Sequence, residues 1–358
     1  MDNKLIDNRS LGLDFIRFSA VILVLIAHFA KCLELFGFWG VELFFGLSGY
    51  LIGQILWRGY TRDENWNFNN IKIFWLRRWW RTLPNYFLFF LISFPFHYFI
   101  MGDKIPNTIK LIPFFFFGQN LFSRYGGFYG VSWSLCIEEW LYLLFPLLLF
   151  LFHKIVKVKV KAFSFALITI ILGSVFMRIF LSNNGQAEYI RTITSCRLDS
   201  ITYGIAIAFI ESYCGISKKK KVIYFISGIL LILAPVFTRI ITDISFAELR
   251  QNQFLLVCVP VGSSIILPFV SSYKRIQNLS SNIKLIITNL SIWTYSIYLS
   301  HIPILFTIYY LLLNYRTNVY LNLISKIIGF AITVLISSLV YKYFELPLTR
   351  KRPKEIVN

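Results

Sequence analysis

The chain has 358 residues, of which 57% are hydrophobic, 18% are aromatic and only 15% are charged. This composition is too apolar for a soluble globular protein, and the chain is too long for a single membrane span. Its formal net charge of +19 fits either a nucleic-acid-binding surface or a membrane protein with basic loops, and the distribution of the basic residues distinguishes the two.

Apolar runs of roughly 18 residues or more are long enough to cross a bilayer, and they predict about ten transmembrane helices. In chain order they lie near residues 11–31, 38–57, 83–101, 133–152, 162–182, 197–213, 222–241, 252–271, 286–313 and 320–344. The shorter apolar run at 111–121 is predicted to be a re-entrant or interfacial segment. We therefore expect an all-α, polytopic membrane protein with one transmembrane domain over residues 1–358.

The basic residues are concentrated in alternate loops of this predicted topology. One set of loops holds Arg77, Arg78, Arg81 and the run Lys218 to Lys221, whereas the loops between them hold fewer basic residues. The positive-inside rule then predicts that both termini are cytoplasmic. A nucleic-acid-binding protein would cluster its basic residues on one surface. We therefore expect the lipid bilayer as a partner and no nucleic acid.

The first predicted span carries three ionisable residues, Asp14, Arg17 and His28. A charged side chain at the bilayer centre costs roughly 2.5–3.5 kcal/mol on insertion scales, so such residues are candidates for function. Arg17 and His28 are eleven positions apart, which places them on the same side of a helix and about 16 Å apart along its axis. Asp14 lies three residues before Arg17 and is spaced to pair with it.

Other polar residues interrupt later spans. In the predicted topology the cytoplasmic end of span three carries Arg77, Arg78 and Arg81, and the remaining candidates lie in the outer half of the membrane. These are Trp133, Ser134, Glu138 and Glu139 in "WSLCIEEWLYLLFP", Arg197 and Asp199 in "CRLDSITYG", and His301 in "SIYLSHIP". The pattern predicts a site with two sides.

The residue types suggest a chemistry for each side. His28 oriented by Glu138 would be a general base for a hydroxyl at the outer face. The arginine cluster would bind phosphate groups at the inner face. A coenzyme A thioester, with phosphates at one end of a long thin arm, would bridge the two.

Structural interpretations stay open for each group. His28 could form an interhelical hydrogen bond, and the arginines could be ordinary positive-inside anchors. Only one of Glu138 and Glu139 needs to face the interior, because they lie about 100° apart on a helix. Arg197 and Asp199 could pair with each other or tie spans together.

Seven motifs in one order cover almost the whole chain. They are "LDFIR" followed by His28, "FFGLSGYLI", "RRWWRTLPNY", "WSLCIEEWLYLLFP", "CRLDSITYG", "SIYLSHIP" and "YFELPLTR". This set resembles the acyltransferase family 3 of bacterial membrane proteins. The resemblance implies a ten-helix enzyme of the bacterial inner (cytoplasmic) membrane, which moves an acyl group from acetyl-CoA or another acyl-CoA to a hydroxyl of an extracytoplasmic glycan, without a metal.

The resemblance also assigns residues. It implies that His28 is the catalytic histidine of the Arg17–His28 motif and that Arg78 and Arg81 serve donor binding or site architecture. The Trp-Ser-Leu-x-x-Glu motif falls on Trp133, Ser134 and Glu138, and family-like motifs contain Arg197, Asp199 and His301.

The end of the chain departs from many relatives, which carry a C-terminal extracytoplasmic hydrolase-like domain. This sequence stops thirteen residues after Glu345. We therefore expect a stand-alone form that acts alone or with a separate extracytoplasmic partner protein.

Two rival functions remain at this stage. A transporter or flippase for a glycan precursor would also have many spans and buried charges, but it favours inverted repeats and broken helices, which the sequence does not reveal. A membrane-embedded scaffold or sensor would leave the charged groups on both sides unexplained. Binding of coenzyme A would distinguish the acyltransferase from both.

Overall fold

The computed structural model describes residues 9–29, 33–64, 66–102, 106–124, 127–274, 279–311 and 319–354, and over these ranges it contains helices and turns but no strand. The helices in chain order are α1 (Leu11–Phe29), α2 (Glu34–Arg62), α3 (Phe68–Pro95), α4 (Thr108–Phe115), α5 (Trp133–Val156), α6 (Lys159–Leu181), α7 (Leu198–Cys214), α8 (Lys218–Thr242), α9 (Phe246–Gln251), α10 (Leu255–Ile265), α11 (Leu267–Ser271), α12 (Ser281–Leu311), α13 (Val319–Val340) and α14 (Leu346–Thr349). The predicted all-α class is confirmed.

Within the described part of the chain, seven helical stretches are long and apolar enough to cross a membrane. They are Leu11–Phe29, Glu34–Arg62, Phe68–Met101, Gly127–Val156, Lys159–Tyr189, Lys218–Thr242 and Tyr320–Thr349. The protein is therefore a multi-pass membrane protein. Three further helical segments do not belong to these seven. They are α7, which has 17 residues, the shorter apolar stretch formed by α10 and α11, and α12, which has 31 residues. Ten crossings therefore remain a prediction.

The helix α8 shows how the apolar sequence is used. Its large side chains, such as Ile223, Leu230 and Ile241, are exposed, and only Gly228 and Pro235 are buried. A helix that is hydrophobic on its outer surface is stable where the surrounding medium is lipid. The sequence therefore covers the outside of the bundle with apolar residues and reserves its polar residues for the interior.

Glycines bring α2 and α7 into close contact at the centre of the bundle. A methyl group added at Gly204 of α7 would lie 2.7 Å from the backbone nitrogen of Tyr50 and would also clash with the carbonyl oxygen of Gly46, both on α2. Small residues permit this close approach of helix backbones in membrane proteins. The same helix α2 also packs against α1 and α10.

Two hydrogen bonds between segments distant in sequence locate one end of the bundle. Lys159 Nζ donates to the carbonyl oxygen of Asp63 at 2.9 Å, and Arg77 Nη1 donates to that of Pro353 at 2.7 Å. These segments, all predicted to be cytoplasmic, therefore lie together, and we call this the basic end. Arg17 of α1 lines one cavity with Arg78, the neighbour of Arg77, so α1 begins near the basic end and His28, near its last residue, lies toward the opposite end. The orientation in the membrane remains a prediction.

The apolar run at 111–121 does not form a spanning helix. The helix α4, which overlaps this run, has eight residues, and Ile112, Phe115 and Phe116 are exposed. Phe114 is buried, and its carbonyl oxygen accepts a hydrogen bond from the Tyr86 hydroxyl at 2.8 Å. A short helix with one anchored and one exposed apolar face fits the predicted interfacial segment.

Candidate functional site

A cavity of about 930 Å³ lies at the end of the bundle opposite the basic end. Residues from α1, α2, α3, α9, α12 and α13 and from the turns before α5 and α7 line it. Its polar lining includes His28, Glu34, Ser93, His97, Trp133, Arg191, Arg250, His301, Asn322, Ser325 and Lys326. We call this cavity the histidine chamber.

His28 is exposed on the wall of the chamber. Its Nδ1 lies 2.8 Å from the carbonyl oxygen of Val24, one turn earlier on α1. Because a carbonyl oxygen only accepts hydrogen bonds, Nδ1 carries the hydrogen in this contact. In the neutral ring Nε2 is then the free lone pair, which is the state that a general base requires.

His301 lies directly behind His28. It is fully buried, and the two ring centres are 4.8 Å apart in an edge-on arrangement. Its Nδ1 contacts the carbonyl oxygen of Tyr298 at 2.7 Å, and its Nε2 has no hydrogen-bond partner among the described residues. The structure therefore brings together two histidines from the first and ninth predicted spans.

Glu138 does not pair with His28, contrary to our expectation. It accepts hydrogen bonds from Ser48 Oγ at 2.9 Å and from the Tyr142 hydroxyl at 3.2 Å. The reason is depth, since Trp133 at the start of α5 lines the chamber and Glu138 lies about 7.5 Å further along the helix axis. Our general-base pair is therefore wrong as a direct contact.

Glu138 instead lines a second cavity of about 120 Å³ nearer the basic end. The charged residues around this cavity are Arg17, Arg78, Arg81 and Glu138, and we call it the arginine pocket. Glu139 is buried beside Thr82 of α3. Of the two adjacent carboxylates, Glu138 is therefore the one that faces a cavity.

Arg17 pairs with Asp14, as their three-residue spacing predicts. Its Nη1 lies 3.3 Å from Asp14 Oδ1 and donates to Ser291 Oγ at 3.2 Å. Asp14 also accepts a hydrogen bond from Arg9 Nε at 3.0 Å, so one carboxylate is shared by two guanidinium groups. The positive charge near the arginine pocket is therefore only partly compensated.

The three predicted donor-binding arginines are divided between two places. Arg81 is exposed and lines the arginine pocket. Arg77 bonds to the carbonyl oxygen of Pro353 and lines a separate recess of about 160 Å³. Arg78 lines both the arginine pocket and this recess, and its buried Nε has no hydrogen-bond partner among the described residues.

Tyr298 and Val41 line both the histidine chamber and the arginine pocket. The Tyr298 hydroxyl and Ser134 Oγ, both on buried residues, are 2.7 Å apart and hydrogen-bonded. Ser134 is thus part of the wall between the two cavities, and its neighbour Trp133 belongs to the chamber.

Arg197 and Asp199 lie outside both cavities. Arg197 Nη2 donates to Glu42 Oε1 of α2 at 2.5 Å, and Arg178 Nη1 of α6 donates to Asp199 Oδ1 at 2.9 Å. All four side chains are almost completely buried. Residues two apart at the start of a helix point in nearly opposite directions, so each binds a different neighbour. Of the two options left open, the structure shows that they tie helices together.

Arg191 is a chamber residue that the sequence reasoning missed. It lies in the turn between α6 and α7, with its guanidinium carbon 4.9 Å from the ring centre of Phe38 and 5.4 Å from that of Trp133. Burial lowers the pKa of Arg191 to about 10, so it is still a cation at neutral pH. The available signal was an arginine in a loop that the positive-inside rule places outside the cell.

The comparisons with known proteins agree with the motif order. A family model described as the acyltransferase domain of acyltransferase family 3 matches residues 10–342. This chain belongs to the acyltransferase 3 family. The resemblance drawn from the seven motifs is thereby confirmed.

Two relatives in this family illustrate the similarity. Peptidoglycan O-acetyltransferase OatA of Listeria monocytogenes is 26% identical over 358 residues, which cover 95% of this chain and 56% of that protein. O-acetyltransferase OatA of Staphylococcus aureus is 28% identical over 373 residues, with coverages of 95% and 57%. The chain thus spans just over half the length of these curated relatives. No solved structure matches.

Proposed function

We propose that this member of the acyltransferase 3 family moves an acetyl group, or another acyl group, from acyl-CoA to a hydroxyl of a bacterial envelope glycan. The observation that carries the proposal is the free Nε2 of His28 in a chamber of about 930 Å³, on the same helix as Arg17 of the arginine pocket. The names of the relatives, O-acetyltransferases of which one is named for peptidoglycan, support both the group and the kind of acceptor.

The arginine pocket is the proposed donor side. Guanidinium groups bind phosphate oxygens through two parallel hydrogen bonds. Arg81 is exposed at this pocket, and Arg78 Nε is without a hydrogen-bond partner among the described residues. The two arginines would hold the phosphates of coenzyme A near the basic end, and the pantetheine arm would extend toward Tyr298 and Ser134.

The histidine chamber is the proposed acceptor side. Nε2 of His28 takes the proton from the acceptor hydroxyl, and the hydroxyl oxygen forms a bond to the thioester carbonyl carbon. The carbon–sulfur bond then breaks, and the proton ends on the coenzyme A thiol. A path in which Nε2 of His28 first accepts the acyl group and then passes it to the hydroxyl uses the same nitrogen.

The predicted topology gives this reaction a direction. If the basic end is cytoplasmic, as the positive-inside rule predicts, the donor binds from the cytoplasm and the acceptor reacts at the outer face of the inner membrane. Membership in an acyltransferase family favours this function over a glycan flippase, which would have no use for a base with a free Nε2.

The test compares the encoding bacterium with the gene intact, deleted, or carrying His28→Ala or His153→Ala at equal membrane abundance. His153 is the matched control, because it contacts the Tyr60 hydroxyl at 2.7 Å and lines neither of the two cavities. Alkali-labile acetyl esters on envelope glycans are measured by mass spectrometry and proton NMR. We expect the ester to disappear in the deletion and His28→Ala strains and to persist with His153→Ala. An unchanged glycan in the deletion strain would refute the function, and an ester retained by His28→Ala would refute the base.

A further inference from the structure

Cations outnumber carboxylates on the wall of the histidine chamber. Three cationic residues, Arg191, Arg250 and Lys326, line it, whereas Glu34 is the only carboxylate among its described lining residues. The side chain of Arg250 makes a cation–π contact with Phe246. The side chains of Arg250 and Lys326 form no hydrogen bond or ion pair with another described residue. A neutral sugar chain would not require this excess positive charge.

Arg191 is the best placed of these cations. Two aromatic rings, those of Phe38 and Trp133, hold its guanidinium group, and its Nε is buried without a hydrogen-bond partner among the described residues. Stacking on aromatic rings fixes the position of an arginine without using its N–H donors. The donors of Arg191 therefore stay free for a ligand.

The nearby carboxylate does not neutralise Arg191. Glu42 is close enough to attract Arg191 electrostatically, but its hydrogen bond goes to Arg197 at 2.5 Å. One carboxylate thus serves two guanidinium groups, and one positive charge remains. A partly buried, uncompensated cation is costly unless a ligand supplies the counter-charge.

We propose that the acceptor glycan carries an anionic group, a carboxylate or a phosphate, beside the hydroxyl that is acylated, and that Arg191 binds this group. The inference rests on the proposed function and names its acceptor class. The cation selects the acceptor and places its hydroxyl near His28, which lines the same chamber as Arg191.

The experiment uses membranes that contain the full-length protein, radiolabelled acetyl-CoA, and envelope glycan extracted from the deletion strain. The glycan is supplied in three size-matched forms: untreated, carboxyl-reduced with carbodiimide and borohydride, and dephosphorylated with aqueous hydrogen fluoride. Initial rates are measured against acceptor concentration for wild type, Arg191→Gln, Arg191→Lys and Arg124→Gln. Arg124 is the matched control, because it also stacks on an aromatic ring, that of Tyr189 at 5.2 Å, but does not line the chamber.

For the wild type we expect kcat/KM to fall roughly ten- to a hundredfold on one of the two treated glycans, the range for losing a charge-assisted hydrogen bond. The treatment that has this effect identifies carboxylate or phosphate. Arg191→Gln should show the same loss on untreated glycan and no preference between forms, Arg191→Lys should keep part of the preference, and Arg124→Gln should behave as wild type.

Three results would overturn the inference. The first is that the wild type acetylates all three forms at equal rates, and the second is that Arg191→Gln keeps the preference for the untreated form. The third is that Arg191→Gln lowers kcat by the same factor on all three forms at unchanged KM, which would give Arg191 a role in oxyanion stabilisation or a structural role. Failure of the wild type to acetylate any form would refute the proposed function, and the inference with it.

Discussion

The contact between α2 and α7 predicts that adding one methyl group at Gly204 destabilises the whole bundle. The new carbon would lie 2.7 Å from the backbone nitrogen of Tyr50, whereas ordinary contacts begin at 3.4 Å. The atoms it meets on Tyr50 and Gly46 belong to the backbone of α2 and cannot rotate away as a side chain could. The two helices must therefore separate.

Overpacking of a well-packed interior costs about 1–3 kcal/mol, and close-packed interiors relax only partly. We expect Gly204→Ala to lose about this amount, against a helix-propensity gain of roughly 0.5–1 kcal/mol for replacing glycine by alanine. In a thermal unfolding experiment on the purified protein in detergent, the midpoint should fall on the order of 5 °C.

Gly173 in α6 is the matched control, since a methyl group there would meet no atom within 4 Å. Gly173→Ala should unfold at the wild-type temperature or slightly above it. If Gly204→Ala is as stable as Gly173→Ala, the close approach of α2 and α7 is not a real constraint and the reasoning fails.

Two further predictions concern the buried ion pair of Arg197 and Glu42 and the arginine pocket. Arg197→Met should cost about 3–5 kcal/mol, because the buried Glu42 loses the guanidinium group to which it is hydrogen-bonded, and adding Glu42→Leu should recover most of the lost melting temperature; a double variant no more stable than the single one would contradict this. Arg81→Gln should raise KM for acetyl-CoA roughly tenfold with little change in kcat, as expected for one charge-assisted hydrogen bond. Arg77→Gln, whose side chain bonds to Pro353, should change KM less, and equal effects of the two substitutions would argue against the arginine pocket as the donor side.

The periodicity of single helices was enough to predict several relations correctly. The spacing of Arg17 and His28 placed them on one helix face at different depths, and the structure puts them in two separate cavities. The three-residue interval between Asp14 and Arg17 predicted their ion pair. These relations depend only on the regular geometry of one α-helix.

Relations between helices were less predictable. Pairing His28 with Glu138 required the relative depth of α1 and α5, which helix packing determines and neither sequence encodes by itself. Asp199 pairs with Arg178, a residue that looked like part of an ordinary span. Arg191 was missed because its position depends on irregular turns between residues 182 and 196, where no hydrophobic period applies.

The shared wall of the two cavities also bears on ion leakage. Water-filled cavities that enter a membrane protein from both ends leave only their partition to hold the electrochemical gradient. Here the partition includes the hydroxyl pair of Tyr298 and Ser134. In the proposed reaction, a donor arm that reaches from the arginine pocket to His28 would displace part of this wall, so the arm itself would have to fill the opening tightly while the acyl group is transferred. On the proposed function, this wall is therefore as much a seal against ions as a boundary that the acyl group has to cross.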